Sequence, residues 1–205
     1  MRPTDGDSAP MDRIETDRLI MRRLSEGDVT LYCDLYGDPH AMHFVGPPLS
    51  RERAERSFRI VLESQDRRPI RRLFLAIVEK ASQQAIGIGG YPDLDAGRRR
   101  VEAGMILKPE SIGRGFGKEG LGALVTHAFA VFPVDVVWIQ HAAENPIARR
   151  VPISLGFSHG IDPAPSDERP GQCFWSAYRE SWRRSPGFAP VRAAGTRKID
   201  KSVAG

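Results

Sequence analysis

The chain has 205 residues, of which 40% are hydrophobic, and 30 Lys+Arg against 26 Asp+Glu leave a net charge of +4. At about 150 residues per domain this length predicts one compact unit, and a near-globular apolar share with little net charge excludes a long disordered chain. A membrane crossing is excluded as well. The longest apolar stretch, Leu121 to Ile139, is interrupted by His127, Pro133 and Asp135 and falls short of the ~20 uninterrupted apolar residues a span needs.

Residues 1–12 and 184–205 are poor in large apolar groups and read as disordered tails around a body at 13–183. The body opens with a predicted strand, Arg18 to Arg22. Ser25 follows as a helix N-cap, with Asp28 three residues on. That helix puts Val29, Tyr32, Cys33 and Tyr36 on one face and stops near Gly37-Asp38-Pro39. A Pro-rich loop at Phe44 to Pro48 leads to a second N-cap, Ser50, and a helix burying Ala54, Phe58, Val61 and Leu62. Leu73 to Glu79 and Ala85 to Tyr91 are predicted strands. Gly87, Gly89 and Gly90 in the second permit close backbone approach. The turn Asp93 to Gly97 and the strand Val101 to Leu107 complete an expected hairpin.

A Gly-rich loop, Ile112 to Gly117, then opens the best helix pattern in the chain. Leu121, Leu124, Val125, Ala128, Phe129 and Phe132 recur at helical spacing up to Pro133. His127 falls off that stripe and reads as a solvated residue. Val136 to Ala142 is an apolar strand. Asn145 to Leu155 reads as a helix that Pro152 should kink or end early. Gly156-Phe157 begins an extended piece, and Cys173 to Arg179 is the last strand. The order β-α-α-β-β-β-α-β-α-β-β implies an α/β fold: a mixed sheet with helices on its faces.

Chemistry concentrates at the loop with Gly113, Gly115 and Gly117. Glycines ahead of a helix leave amide N–H groups free to converge, and the helix dipole adds positive potential. The loop therefore suits a phosphate or pyrophosphate, with Arg114 and Lys118 as counter-charge. A Walker loop fails, because Ile112 stands where Gly is needed and Glu119 where Ser or Thr would hold Mg²⁺. Gly115-Phe-Gly117-Lys-Glu-Gly120 matches the dinucleotide fingerprint literally. However, Lys108 to Arg114 separate it from the strand, and too little chain follows for the remaining β-α-β units.

The same loop resembles the acyl-CoA motif of the GCN5-related N-acetyltransferases (GNAT). Further stretches resemble the subgroup that acetylates N-terminal amines of ribosomal proteins and many small amines. These are Glu15 to Arg22, Val101 to Met105, Glu144 to Val151, and Leu155-Gly156-Phe157. The resemblance spans about residues 13–180. It implies a mixed, mostly antiparallel central sheet flanked by helices on both faces, with acetyl-CoA or another acyl-CoA as co-substrate. The pyrophosphate would lie over Gly113, Arg114, Gly115, Phe116, Gly117 and Lys118, beside Ile112. The pantetheine arm would run along Ile106 and Leu107, with Asn145 fixing its side. The Met105 N–H would polarise the thioester carbonyl. Ile112 and Ala148 depart from the pattern, which carries Gln, Arg or an aromatic residue at the first position and a Ser at the second.

An acceptor amine must be neutral to attack. At pH 7 deprotonation costs about 4.6 kcal/mol for a Lys-type amine but about 1.4 kcal/mol for an α-amine, so an α-amine needs only a weak base. Glu102 is the first candidate, on a strand face shared with Gly104 and Ile106; its competing reading is an ion pair with the Arg98 to Arg100 cluster. His141 is the second candidate, against a core-histidine reading. Arg149 and Arg150 are placed to reach the CoA 3′-phosphate. The acceptor is expected between the loop Phe44 to Leu49 and the turn Asp93 to Gly97, touching Phe44, Val45 and Tyr91. It is a peptide or protein N-terminus or a small-molecule amine, attacked directly with no covalent enzyme intermediate. A non-catalytic CoA-binding or protein-interaction domain is the alternative.

No metal is expected, since His40-Ala-Met-His43 lacks a third ligand. The dispersed Arg pairs carry no interleaved aromatics, so no nucleic-acid partner is expected. No membrane partner is expected either, and the assembly is read as a monomer or homodimer. Cys33 and Cys173 read as reduced thiols, and Met1 to Asp12 lacks an apolar leader. The expected location is the cytoplasm.

Overall fold

In the computed structural model, residues 13–160 and 171–185 are described. The expected tails lie outside that range, apart from Arg184 and Ser185. The first strand is part of a hairpin: β1 (Arg13–Glu15) pairs antiparallel with β2 (Leu19–Arg23). Asp28 then ties β2 to the first helix. Its carboxylate accepts from the Ser25 N–H at 2.9 Å and from both terminal nitrogens of Arg22 at 2.7 Å. A single 3₁₀ turn leads into α1 (Val29–Gly37). Leu31 and Leu35 are buried along with Tyr32 and Cys33, so α1 is buried more broadly than its single expected face. The short α2 (Pro39–Met42) was not expected. Asp38 caps it, accepting from the amides of His40 and Ala41 at 2.6 and 2.9 Å. Ser50 caps α3 (Arg51–Asp66), as expected.

The strands that follow are β3 (Leu73–Glu79), β4 (Ala85–Tyr91), β5 (Leu94–Asp95), β6 (Arg100–Glu102) and β7 (Gly104–Leu107). Then come α4 (Phe116–Val131), β8 (Val136–Ala142), α5 (Pro146–Leu155), β9 (Ser158–His159), β10 (Gln172–Tyr178) and α6 (Arg179–Trp182). They form two five-stranded sheets, ordered β1-β2-β3-β4-β7 and β5-β6-β8-β10-β9. The β6–β8 pair is parallel and the other pairs are antiparallel.

The expected strand at 101–107 is thus divided. Residues up to Glu102 pair with β8, the Ala103 N–H donates to the Trp138 carbonyl at 2.8 Å, and from Gly104 onward the chain pairs with β4. One segment crosses from sheet to sheet, and β7 and β8 separate beyond it. That separation creates the site.

Alternation along β3 and β4, shifted by an irregularity at Ile77/Val78 that leaves Ile86 and Ile88 on opposite faces, sets the layers. Ala76 and Ile88 face α1 and α3 through Leu31, Tyr32, Leu35 and Phe58. Leu75, Ile77 and Ile86 face α4, whose Leu121, Leu124, Val125 and Ala128 also pack with Val137, Ile139 and Trp175 of the second sheet. Helix α4 is therefore buried by both sheets, which corrects the reading of His127. That ring is 3% exposed and hydrogen-bonds the Tyr91 hydroxyl at 2.8 Å. Helix α5 also differs from expectation, running through Pro152 to Leu155 and ending on Gly156 in the left-handed region. Among the described residues no helix is long and apolar enough to cross a membrane.

Candidate active site

A cavity of about 470 Å³ opens where β7 and β8 diverge. Gly104 to Leu107 form one wall and Ile139 to His141 the other. Asn145, Ala148 and Val151 of α5 cover it, and Ile112, Gly117 and Leu121 close the end nearest α4. His40, His43, Phe44 and Val45 line the far end.

The register decides which backbone groups face this space. Lys108 donates to the Ile86 carbonyl at 2.8 Å, so 86/108, 88/106 and 90/104 are the hydrogen-bonded pairs of the β4–β7 ladder. The N–H and C=O groups of Met105 and Leu107 consequently point away from β4. Because β7 is an edge of its sheet, no neighbouring strand takes them up.

At the α4 end, Gly113 and Gly115 hold φ of 82° and 83°, the left-handed region that a side chain strains to enter. Gly115 is the N-cap, and the first helical bond is donated by Glu119 to its carbonyl. Among the described residues the N–H groups of Gly113 through Lys118 donate to nothing else. The loop therefore ends in an unpaired amide turn at the positive end of a 16-residue helix.

Salt bridges hold that turn from behind. Glu119 accepts from Thr16 Oγ1, the Arg18 N–H and Arg18 Nε at 2.6–2.9 Å. Arg114 Nη2 meets Glu79 at 2.5 Å, and both guanidinium groups stack 4.7 Å over the buried Phe116 ring. These contacts correct the expectation for Arg114: its guanidinium is engaged with Glu79 and the Phe116 ring and is not a mobile counter-charge. The Glu79 carboxyl is held below its ordinary value by the Ser82 hydrogen bond and then, against burial, by Arg114. For Glu119 burial opposes ionisation, but the hydrogen bonds from Thr16 and Arg18 outweigh it. Lys118 is exposed on the first turn of α4.

The two candidate bases differ sharply. Glu102 lies on β6 and does not line the cavity itself; its Oε1 accepts from Nε2 of Gln140, which does, at 3.0 Å. The break at Ala103 puts Glu102 in the other sheet from Gly104 and Ile106, so the expected shared face is lost. In the Arg98 to Arg100 cluster, Arg98 pairs with Asp95 and Arg99 with Asp135. His141 lines the cavity, but Trp175 Nε1, a pure donor, occupies its Nε2 at 3.0 Å. Its proton therefore sits on Nδ1 and is donated to the Ala142 carbonyl at 2.8 Å. With both nitrogens engaged, His141 is a core histidine bordering the cleft, and the candidacy as base is corrected.

Tyr91 is corrected too. It is 0% exposed, turned to the α4 side, and donates its hydroxyl proton to the Leu124 carbonyl at 2.7 Å. The turn Asp93 to Gly97 contributes no lining residue. Asn145 both borders the cavity and caps α5, accepting from the Ala148 N–H at 2.9 Å. Arg149 and Arg150 are exposed on α5.

Gln140, Ile147, His40 and His43 are lining residues that sequence reasoning did not assign. Gln140 carried one signal, as one of two polar side chains, with His141, in the otherwise apolar strand Val136 to Ala142. Among the described residues no cluster of three or more His, Cys, Asp or Glu could hold a metal.

The family model of the acetyltransferase (GNAT) domain matches residues 18–158. The chain is 24% identical over 148 residues to the uncharacterized N-acetyltransferase YoaA of Bacillus subtilis (strain 168), covering 70% of this chain and 81% of that one. It is also 24% identical over 153 residues to the uncharacterized N-acetyltransferase p20 of Bacillus licheniformis, covering 72% and 83%. Among solved structures, an acetyltransferase from Agrobacterium tumefaciens str. C58 has TM-score 0.68 at 21% identity, over 87% of this chain and 99% of that one. A spermidine N-acetyltransferase from Vibrio cholerae, in complex with CoA and spermine, has TM-score 0.66 at 18% identity, over 82% and 99%. Likeness at these identities shows the fold.

Proposed function

The chain belongs to the acetyltransferase (GNAT) domain family, and we propose that it transfers an acetyl group from acetyl-CoA to a primary amine by direct attack. The observation that carries the reading is two sets of unpaired backbone donors beside one cavity: the amides of Gly113 to Lys118 at the start of α4, and the outward N–H groups of Leu107 and Met105 on the β7 edge.

The residues fit the co-substrate. The amide turn takes a diphosphate without a side-chain counter-ion, and Lys118 adds positive charge at its rim. Ile106, Leu107 and Ile112 offer apolar wall to the pantetheine arm, with Asn145 and Ala148 opposite. Arg149 and Arg150, exposed on the adjoining helix, suit the 3′-phosphate. The Met105 N–H is fixed by the ladder and aimed at the space where a thioester oxygen gains charge, the arrangement that makes preorganised donors effective.

Attack forms the C–N bond as C–S breaks. The amine proton leaves toward Glu102 through water, with Gln140 Nε2 holding the carboxylate. Ala148 gives the departing sulfur no hydroxyl. A thiol of pKa about 8.5 can leave as thiolate at pH 7.5 at a cost of only about 1.4 kcal/mol, so the missing hydroxyl slows the step modestly. The acceptor is an N-terminal α-amine or a small-molecule amine, in keeping with the resemblance to the N-terminal acetyltransferases.

Calorimetry with acetyl-CoA, followed by thiol-release assays on an amine panel, tests the proposal. Saturable heat and amine-dependent release are expected. Saturable heat without release to any amine favours a non-catalytic CoA-binding domain, and no heat at millimolar titrant removes CoA from the account. Glu102→Gln should lower kcat and alter its pH profile; an unchanged pH profile assigns the base elsewhere.

A further inference from the structure

Beside the large cavity lies a second, of about 210 Å³, on the α1 face of the first sheet. The two share Val45, Gly104, Met105 and Ile106, so they meet at the β7 edge. Gly104 is the doorway: a Cβ built there would find nothing within 4 Å. The remaining walls are Tyr36, Phe74, Ile88, Pro92 and the bare backbone of Gly89 and Gly90. Among the described residues no charged side chain lines the chamber. Its one polar group is the Tyr36 hydroxyl, which burial and then the neighbouring Tyr32 push further above its ordinary value, so it stays neutral. The Tyr36 ring is stacked 4.2 Å from Tyr32, whose hydroxyl is bound to Ser57 Oγ at 2.9 Å. The wall is thereby fixed.

Whole-ligand pockets run to roughly 300–1,000 Å³, so this chamber fits a substituent. An uncharged branch on the carbon bearing the attacking nitrogen would gain apolar burial there while the nitrogen stays at the Gly104–Met105 edge. A second ammonium in the same place would be desolvated with no carboxylate to meet it. Resting on the acetyl-transfer reading above, we propose that this chamber receives the apolar side group of the acceptor. The acceptor class is then an α-branched primary amine of the kind found at a peptide N-terminus or in an amino-acid amide, with an uncharged side chain up to about the size of Leu or Phe.

The test is thiol release from acetyl-CoA by the full chain with glycinamide, alaninamide, leucinamide, phenylalaninamide and spermidine. Burial of each methylene is worth about fourfold, so kcat/KM should climb along the series, with leucinamide at least tenfold above glycinamide. Spermidine should fall at least tenfold below leucinamide. Gly104→Val, which narrows the doorway, should bring the leucinamide-to-glycinamide ratio toward one. A flat series, spermidine preferred, or a ratio unmoved by Gly104→Val overturns the chamber and leaves the acetyl-transfer reading standing. No CoA heat and no release with any amine overturns both.

Discussion

The two ends of the cleft are built from different materials. The end facing α4 is made of backbone: left-handed glycines, unpaired amides and a strand edge, with side chains beneath as supports. The end facing α1 is made of side chains gathered from Tyr36, Val45, Phe74, Ile88 and Pro92, positions far apart in the chain. A backbone-built surface recognises a constant ligand, because substituting a side chain leaves its amides in place. A side-chain-built surface changes with each substitution. The first therefore suits the shared co-substrate and the second the acceptor that distinguishes one family member from another.

The largest effect expected from breaking this comparison comes from Met105→Pro. That N–H points away from β4, so proline on this edge removes no ladder bond, and the thermal stability lost should be that of the Met105 side chain packed on the core, which Met105→Ala measures separately. Loss of a charge-stabilising donor should lower kcat by about 10²–10³-fold with little change in KM for acetyl-CoA. An unaltered kcat would remove Met105 from the chemistry.

Gly115→Ala comes next. A methyl group at φ 83°, 3.2 Å from Arg18 Nη2, strains the amide turn by about 1–2 kcal/mol. A rise of roughly tenfold in the acetyl-CoA dissociation constant is expected by calorimetry, with discrimination among amines unchanged. A shift in amine discrimination instead would show that the two ends are not separable.

Arg149→Ala with Arg150→Ala should weaken CoA severalfold and leave 3′-dephospho-CoA unaffected; equal weakening of both ligands would contradict the 3′-phosphate assignment. The smallest effect concerns Asp28. Burial opposes its ionisation, but Arg22 and the Ser25 bonds win and hold its carboxyl below 3.8. Its folded pKa is depressed, so its contribution is present above pH 3.8 and lost as pH falls through the lower folded value. Asp28→Asn should cost about 1–2 kcal/mol at pH 7, a loss that shrinks in thermal melts below pH 3.8. A pH-independent loss would contradict the ion pair, and neither end of the cleft should respond in activity at pH 7.

The α4 end was legible in the sequence because its signals are local. Gly113, Gly115 and Gly117 ahead of a helical stripe state the backbone geometry within a few residues. Arg114 was misread for the complementary reason: its partner Glu79 belongs to another strand, and only the tertiary fold brings them together. The division at Ala103 left no mark, since Val101 to Leu107 carries no proline and alternates as one strand would. Its cause is the Ala103–Trp138 bond to a strand formed later in the chain. Tyr91 and His127 looked functional and solvated respectively, yet each satisfies the other within α4's packing. The side-chain chamber was invisible for want of any local period.

Amide hydrogen exchange with and without saturating acetyl-CoA tests the central claim most directly. Slowed exchange is expected at Gly113 through Lys118 and at Met105 and Leu107, while the chamber residues Tyr36 and Phe74 stay unchanged until an acceptor is added. Saturable binding with no protection at those amides would contradict the account.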